Sequence, residues 1–64
     1  MIRVNGQDHE AAGETVVSLL GRLNIDPRGI AVAVDGEVIR RADWPTTAIE
    51  DGASVEIVTA VAGG

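Results

Sequence analysis

Thr15-Val16-Val17-Ser18-Leu19-Leu20-Gly21-Arg22-Leu23 is the stretch that decides the fold. Val16, Leu19, Leu20 and Leu23 fall at i, i+3, i+4 and i+7, which places them on one face of a helix. Thr15 stands where an N-cap belongs, its hydroxyl able to accept from an orphan backbone N–H. Gly21 weakens the helix, and Asn24 with Pro27 ends the region. Burying four such side chains contributes on the order of 6–12 kcal/mol gross, at about 1.5–3 each. The stripe is therefore the main adhesive of the chain, and everything else reads as the surface it covers.

That surface is a sheet. Upstream, residues 1–4 alternate apolar and polar and meet Asn5-Gly6, a strong hairpin signal because a type I′ turn needs positive φ at both central residues. Residues 7–11 form the return strand, short and polar as an edge strand should be. Downstream, Ile30 to Val34 is an uninterrupted apolar run, expected as a central strand covered on both faces or nearly so. Asp35-Gly36 repeats the hairpin signal, with Glu37 to Ile39 as its partner strand. A longer connection over residues 40–54 carries Trp44-Pro45 and a third turn signal, Asp51-Gly52. Residues 55–59 close as a strand with Val55 and Ile57 on one face. The order is β-β-α-β-β-β, one helix on one face of a mixed sheet of about five strands, an α+β fold.

Composition narrows function. Sixty-four residues make one small domain, which hides only about 60% of its unfolded surface. With no cysteine there is no disulfide, thiolate nucleophile or thiolate metal site. Stability must come from aliphatic packing, and hydrophobic residues make up 45% of the chain with Trp44 the single aromatic. Ten Asp and Glu against five Arg give a net charge of -5, with no lysine, too few cations for nucleic acid. No signal peptide and no apolar run near the roughly 20 residues of a membrane span are seen, so a cytoplasmic protein is expected. An acidic surface suits docking on a basic partner.

Enzymatic readings fare poorly. His9 is the single histidine and sits between Asp8 and Glu10, expected exposed and idle. Carboxylates lie at turns or solvent faces (Asp35, Asp51, Glu56), and no phosphate-cradling or metal-ligand spacing is present. Trp44 is expected as a satellite anchor that buries its ring and finds a partner for its indole N–H. Arg40 and Arg41, the one basic pair, are solvated partners for carboxylates such as Asp43, or a docking contact.

Gly63-Gly64 carries the functional expectation. Two residues without Cβ pack poorly and order at high entropic cost, which is of use only where another protein grips the terminus. Residues 60–64 carry no charged side chain and, extended, span about 16 Å, so the terminal carboxylate reaches deep into a neighbour's pocket. Holding it there costs roughly 1–2 kcal/mol per residue, to be offset by docking of Val58, Val61 and the sheet face. A carboxylate is a poor electrophile, so a partner must activate it, as an acyl-adenylate from ATP.

Strand-Asn5-Gly6, Ile30-Ala31-Val32-Ala33-Val34-Asp35-Gly36, Arg41-Ala42-Asp43-Trp44 and Glu56-Ile57-Val58 running into Gly63-Gly64 together resemble the sulfur carrier proteins of thiamine biosynthesis, the ThiS family. The resemblance covers essentially the whole chain. It implies a ubiquitin-like β-grasp domain over residues 1–59 and a flexible diglycine tail over residues 60–64. It implies adenylation of the Gly64 carboxylate by a ubiquitin-activating-like adenylyltransferase using ATP and magnesium. Sulfur from a donor such as a cysteine desulfurase then gives a thiocarboxylate, which thiazole synthase consumes. Gly63, Ala62 and Val61 thread into the partner, with Val58, Arg40 and Arg41 as further contacts. The chain itself binds no metal or cofactor, has no catalytic residues of its own, and is simplest as a monomer. Relatives often carry Asp after the last turn's glycine, where Ala53 stands, and a polar residue where Ala62 stands. Three other readings remain: the small subunit of molybdopterin synthase, a ubiquitin-like protein modifier, and a non-catalytic β-grasp interaction module.

Overall fold

Two tight turns organise the sheet. In the computed structural model, which describes residues 1–59, Asn5 and Gly6 have φ of 50° and 85°, and Asp35 and Gly36 have 51° and 85°. Positive φ at both central positions matches the right-handed twist of the flanking strands. The first turn joins β1 (Ile2–Val4) to β2 (Gln7–His9), and the second joins β3 (Ile30–Val34) to β4 (Glu37–Ile39). The last strand, β5 (Ser54–Thr59), enters between the two hairpins, giving the order β2-β1-β5-β3-β4. It runs parallel to β1 and antiparallel to β3, so the sheet is mixed. The expected flexible tail over residues 60–64 lies outside the described residues.

Helix α1 (Val16–Arg22) begins as its sequence dictates: the Ser18 amide donates to Thr15 Oγ1 at 3.1 Å. It stops with a Schellman motif. Asn24 sits at φ 57°, its amide donates to Gly21 O, and the Ile25 amide donates to Leu20 O, satisfying carbonyls that would otherwise be orphaned. Asn tolerates this left-handed position because its short polar side chain bonds locally. Val16, Leu19 and Leu20 are buried, whereas Leu23 is the C-cap and only partly buried. Three fully buried side chains, not four, give about 4.5–9 kcal/mol gross. A helix of seven residues does not persist alone in water, so this packing holds it.

The core lies between α1 and one face of the sheet: Ile2, Val4, Val32 and Val55 meet Val16, Leu19 and Leu20. Ile49, fully buried, closes it from the long connection. The segment around Ile49 is stitched to the entry of α1, with Gly13 N to Ile49 O at 2.7 Å, Ile49 N to Glu14 O at 2.8 Å and Val16 N to Thr47 O at 3.1 Å. A 3-10 turn at Arg41–Asp43 then drops Trp44 into the main cluster, 4% exposed, with its indole N–H donating to Ile39 O at 2.9 Å. The anchor role is as expected, but Trp44 belongs to the central core and not to a satellite.

Three expectations change. Strand β2 ends at His9 and not at residue 11, because the chain leaves the edge to bury Ala11, 2% exposed. His9 is half-buried, not exposed. Strand β3 lies beside the edge strand, and β5 is central. On β3 the uninterrupted apolar run is covered on one face only. Val32 is buried against the helix, while Ala31 and Ala33 point to the opposite, uncovered face. Among the described residues no helix is long and apolar enough to cross a membrane.

Candidate functional site

The strand that leads into residues 60–64 is paired on both edges, with β1 and with β3. Its start is fixed by the second turn: the Ser54 amide donates to Asp35 Oδ1 at 2.9 Å, and the Asp35 amide donates to Ser54 O at 2.7 Å. Its later part is fixed by the first. The parallel ladder runs Arg3 N to Ala53 O and Asn5 N to Val55 O, both 2.9 Å, after which the β1 backbone turns away into its hairpin. There the Asn5 side chain takes over. Its Oδ1 accepts from the Ile57 amide at 2.8 Å and its Nδ2 donates to Ile57 O at 3.1 Å. A primary amide presents one donor and one acceptor side by side, so Asn5 substitutes for the missing backbone partner. The residues immediately before the tail are thereby kept in sheet geometry.

The outer face of the sheet divides into two halves. Across β2 and β1, Asp8 and Arg3 pair as neighbours, with Arg3 Nε 3.5 Å from the Asp8 carboxylate. Across β5, β3 and β4 the face is apolar and shallow. Ala31, Ala33, Val38, Glu56 and Val58 line a groove of about 200 Å³, with Val58 opposite Ala31 and Val38 opposite Ala33. Val38 is 68% and Val58 56% exposed. Alanines on β3 keep the floor low, so an opposing surface can approach the backbone closely. Glu56 supplies a negative rim.

Val58 lies on this open face, two positions before residue 60 in the sequence. Arg40 and Arg41 do not join it. Arg41 stacks on Trp44, its guanidinium carbon 4.5 Å from the ring centroid, and its Nη2 donates to Pro27 O at 2.7 Å. Arg41 is therefore not paired with Asp43, and it does not line the groove of Val58. Arg40 is exposed and forms no ion pair among the described residues. Val61, Ala62, Gly63 and Gly64 lie outside the described residues. Ala53, where relatives often carry Asp, is 5% exposed within the core, so that difference falls on a packing position. The sequence reading missed Val38, which edge-strand burial alone distinguishes from Val32, and it missed Asn5 and Asp35 as clamps. Their turn propensity was visible, but the reach of their side chains to β5 depends on strand order.

Among the described residues no cluster of His, Asp or Glu could hold a metal ion. Three carboxyls are held below their ordinary values by charge-assisted hydrogen bonds at the surface: Glu14 by Arg22 and then Ser18, Asp26 by Arg28, and Asp51 by the Met1 amino group. None lines the Val58 groove. The site offers an apolar docking surface and a well-supported strand leading to two glycines.

A five-stranded mixed sheet in the order β2-β1-β5-β3-β4, crossed on one face by a helix after the first hairpin, is the ubiquitin-like β-grasp fold. The ThiS family model matches residues 2–64. The crystal structure of a thiamine biosynthesis protein (ThiS) from Geobacter metallireducens superposes with a TM-score of 0.82 at 30% identity, covering 98% of this chain and 97% of that one. The sulfur carrier protein ThiS of Escherichia coli is 33% identical over 54 residues, 84% of this chain and 82% of the relative. A thiazole synthase of Paramagnetospirillum magneticum is 36% identical over 62 residues, 95% of this chain; the chain spans 19% of that protein's length. The chain belongs to the ThiS family.

Proposed function

We propose that this protein carries sulfur in thiamine biosynthesis as a thiocarboxylate at Gly64, and that it acts as a co-substrate of other enzymes and not as a catalyst. The observation that carries the reading is the placement of β5. The strand is clamped by Asp35 and Asn5, carries exposed Val58 on an open apolar face, and runs toward Gly63 and Gly64. The body docks through Val38, Val58 and the alanine floor, and the small residues beyond enter the partner's channel.

The chemistry follows from the carboxylate. A carboxylate oxygen of Gly64 attacks the α-phosphorus of ATP, pyrophosphate leaves, and the acyl carbon becomes electrophilic. The outer sulfur of a persulfide, as on a cysteine desulfurase, then attacks that carbon and AMP leaves; a thiol cleaves the S–S bond of the resulting acyl disulfide, releasing the thiocarboxylate and leaving a disulfide on the donor. A ubiquitin-activating-like adenylyltransferase supplies positioning, magnesium and charge stabilisation. This chain supplies a terminus free of side chains that would block the approach. Thiazole synthase is the client in this reading, supported by the similarity of the chain to a stretch of a thiazole synthase. All of these steps are assigned to the cytoplasm.

One variant tests the reading. A single alanine appended after Gly64 moves the carboxylate by one residue and gives it a Cβ. The thermal midpoint stays unchanged and sulfur delivery to thiazole synthase is lost. Full delivery by the extended protein would show that the Gly64 carboxylate is not the carrier group.

A further inference from the structure

On the opposite side of the molecule from Val58, a second apolar groove of about 220 Å³ opens at the C-terminal end of α1, lined by Val17, Leu20, Gly21, Ile25, Pro27 and Trp44. Its floor is unusual. Gly21 lies within α1, where glycine is the poorest helix former apart from proline. Its φ is not positive, and a Cβ built on it would meet nothing within 4 Å. Among the described residues neither backbone conformation nor packing requires glycine there. What glycine does provide is a floor that lets another chain approach the helix backbone.

The rim is equally specific. Val17, 47% exposed, forms one wall, and Trp44 with Pro27 the other. Arg41 lies over Trp44 at 4.5 Å and spends one N–H on Pro27 O, so its guanidinium is held at the groove edge. Guanidinium carries five N–H donors, and the uncommitted ones can take a carboxylate in a fork. Arg3, Arg22 and Arg28 already have carboxylate partners. Arg41 has none among the described residues, nor does its neighbour Arg40. A stacked, oriented cation beside an apolar slot complements a carboxylate carried next to an aliphatic side chain. The net charge of -5 opposes any anionic ligand at long range, so recognition here rests on the short-range fork at Arg41 and on the apolar slot.

We propose that this groove docks an acidic, leucine-bearing peptide segment of another protein. The leucine fills the slot over Gly21 and the carboxylate pairs with Arg41. The groove shares no residue with the outer sheet face, so such a partner leaves Val58 accessible. The proposal does not depend on the carrier reading, and its test involves no sulfur chemistry.

Trp44 is the single tryptophan, so intrinsic fluorescence reports directly from the groove wall. The probe is the peptide acetyl-Glu-Leu-Leu-Glu-amide, titrated into the full-length protein while Trp44 emission and backbone amide shifts are followed. Saturable changes at Trp44, Val17, Gly21 and Ile25 are expected. Binding is about tenfold weaker, a loss of roughly 1.4 kcal/mol, for the Gln-flanked peptide and for the Arg41→Gln protein. Gly21→Ala raises the thermal midpoint while weakening binding several-fold, a combination that a purely structural role for Gly21 does not give. A flat titration overturns the proposal. So does equal binding of a Lys-flanked peptide, a response confined to Ala31 and Val58, or a groove that closes by self-association of the chain.

Discussion

Replacing Asn5 by glycine separates the two tasks that Asn5 performs. Glycine keeps the turn, because φ of 50° suits it, but removes both side-chain bonds to Ile57, at 2.8 and 3.1 Å. At about 0.5–1.5 kcal/mol net per bond the loss is roughly 1–3 kcal/mol. The greater freedom of glycine in the unfolded chain adds up to about 1 kcal/mol. A domain of 64 residues has a total stability of roughly 3–10 kcal/mol, and each kcal/mol corresponds to about 4–8 °C in Tm at this size. Asn5→Gly is therefore expected to be clearly less stable yet still folded. The decisive assay is amide hydrogen exchange. Protection at Ile57 falls by more than the global loss, while protection at Leu19 in α1 and at its C-cap Leu23, whose amides donate to Thr15 O and Leu19 O, falls only with it. Asn5→Asp keeps the acceptor for the Ile57 amide and loses only the donor to Ile57 O, so Ile57 stays better protected than in Asn5→Gly. If Ile57 exchange tracks the global stability in both variants, the side chain is not what holds the end of β5.

Leu20→Ala removes a side chain that is 3% exposed and costs about 2–5 kcal/mol, read as a lower urea midpoint; an unchanged midpoint would mean that α1 packs by another face. Trp44→Phe removes the indole bond to Ile39 O and narrows the stacking surface for Arg41. It is expected to cost about 0.5–1.5 kcal/mol for the lost hydrogen bond, and no measurable loss would exclude the indole bond as a contributor. The Glu14 and Asp26 carboxyls are depressed below their ordinary 4.5 and 3.8 by Arg22 with Ser18 and by Arg28. The stability they contribute is complete above those ordinary values and is lost as pH falls through the lower folded-state ones. Urea midpoints are thus flat above about pH 5 and decline below it. Glu14→Gln shows a shallower decline, and an identical acid limb in that variant would remove Glu14 from the account.

The sequence made the elements legible wherever a local rule acts alone. Asn5-Gly6 and Asp35-Gly36 demand positive φ, Thr15 caps, and the stripe from Val16 to Leu20 has one period and one meaning. Strand order was less legible, because β5 pairs with β1 across most of the chain and nothing local records that partnership. The apolar run at Ile30 to Val34 was read as doubly covered for this reason. Alternating valines and alanines look uniformly apolar, yet they divide a buried face from an open one. Ile49 is not legible in the sequence because it is a single large aliphatic residue with no periodic partner, buried by its pairing with the entry of α1. For the candidate site, Val58 followed from its neighbourhood to the diglycine. The separation of Arg41 from Val58 did not, since the bond to Pro27 O and the stack on Trp44 join residues far apart in the chain.

The central claim concerns one atom, and intact mass reads it directly. The protein is incubated with its adenylating enzyme, ATP, magnesium and a sulfur source, and its mass is then mapped by fragmentation. Exchange of one oxygen for sulfur, located at Gly64, is the predicted result. An unchanged mass, with the adenylating enzyme active on a known carrier in the same mixture, would contradict the account.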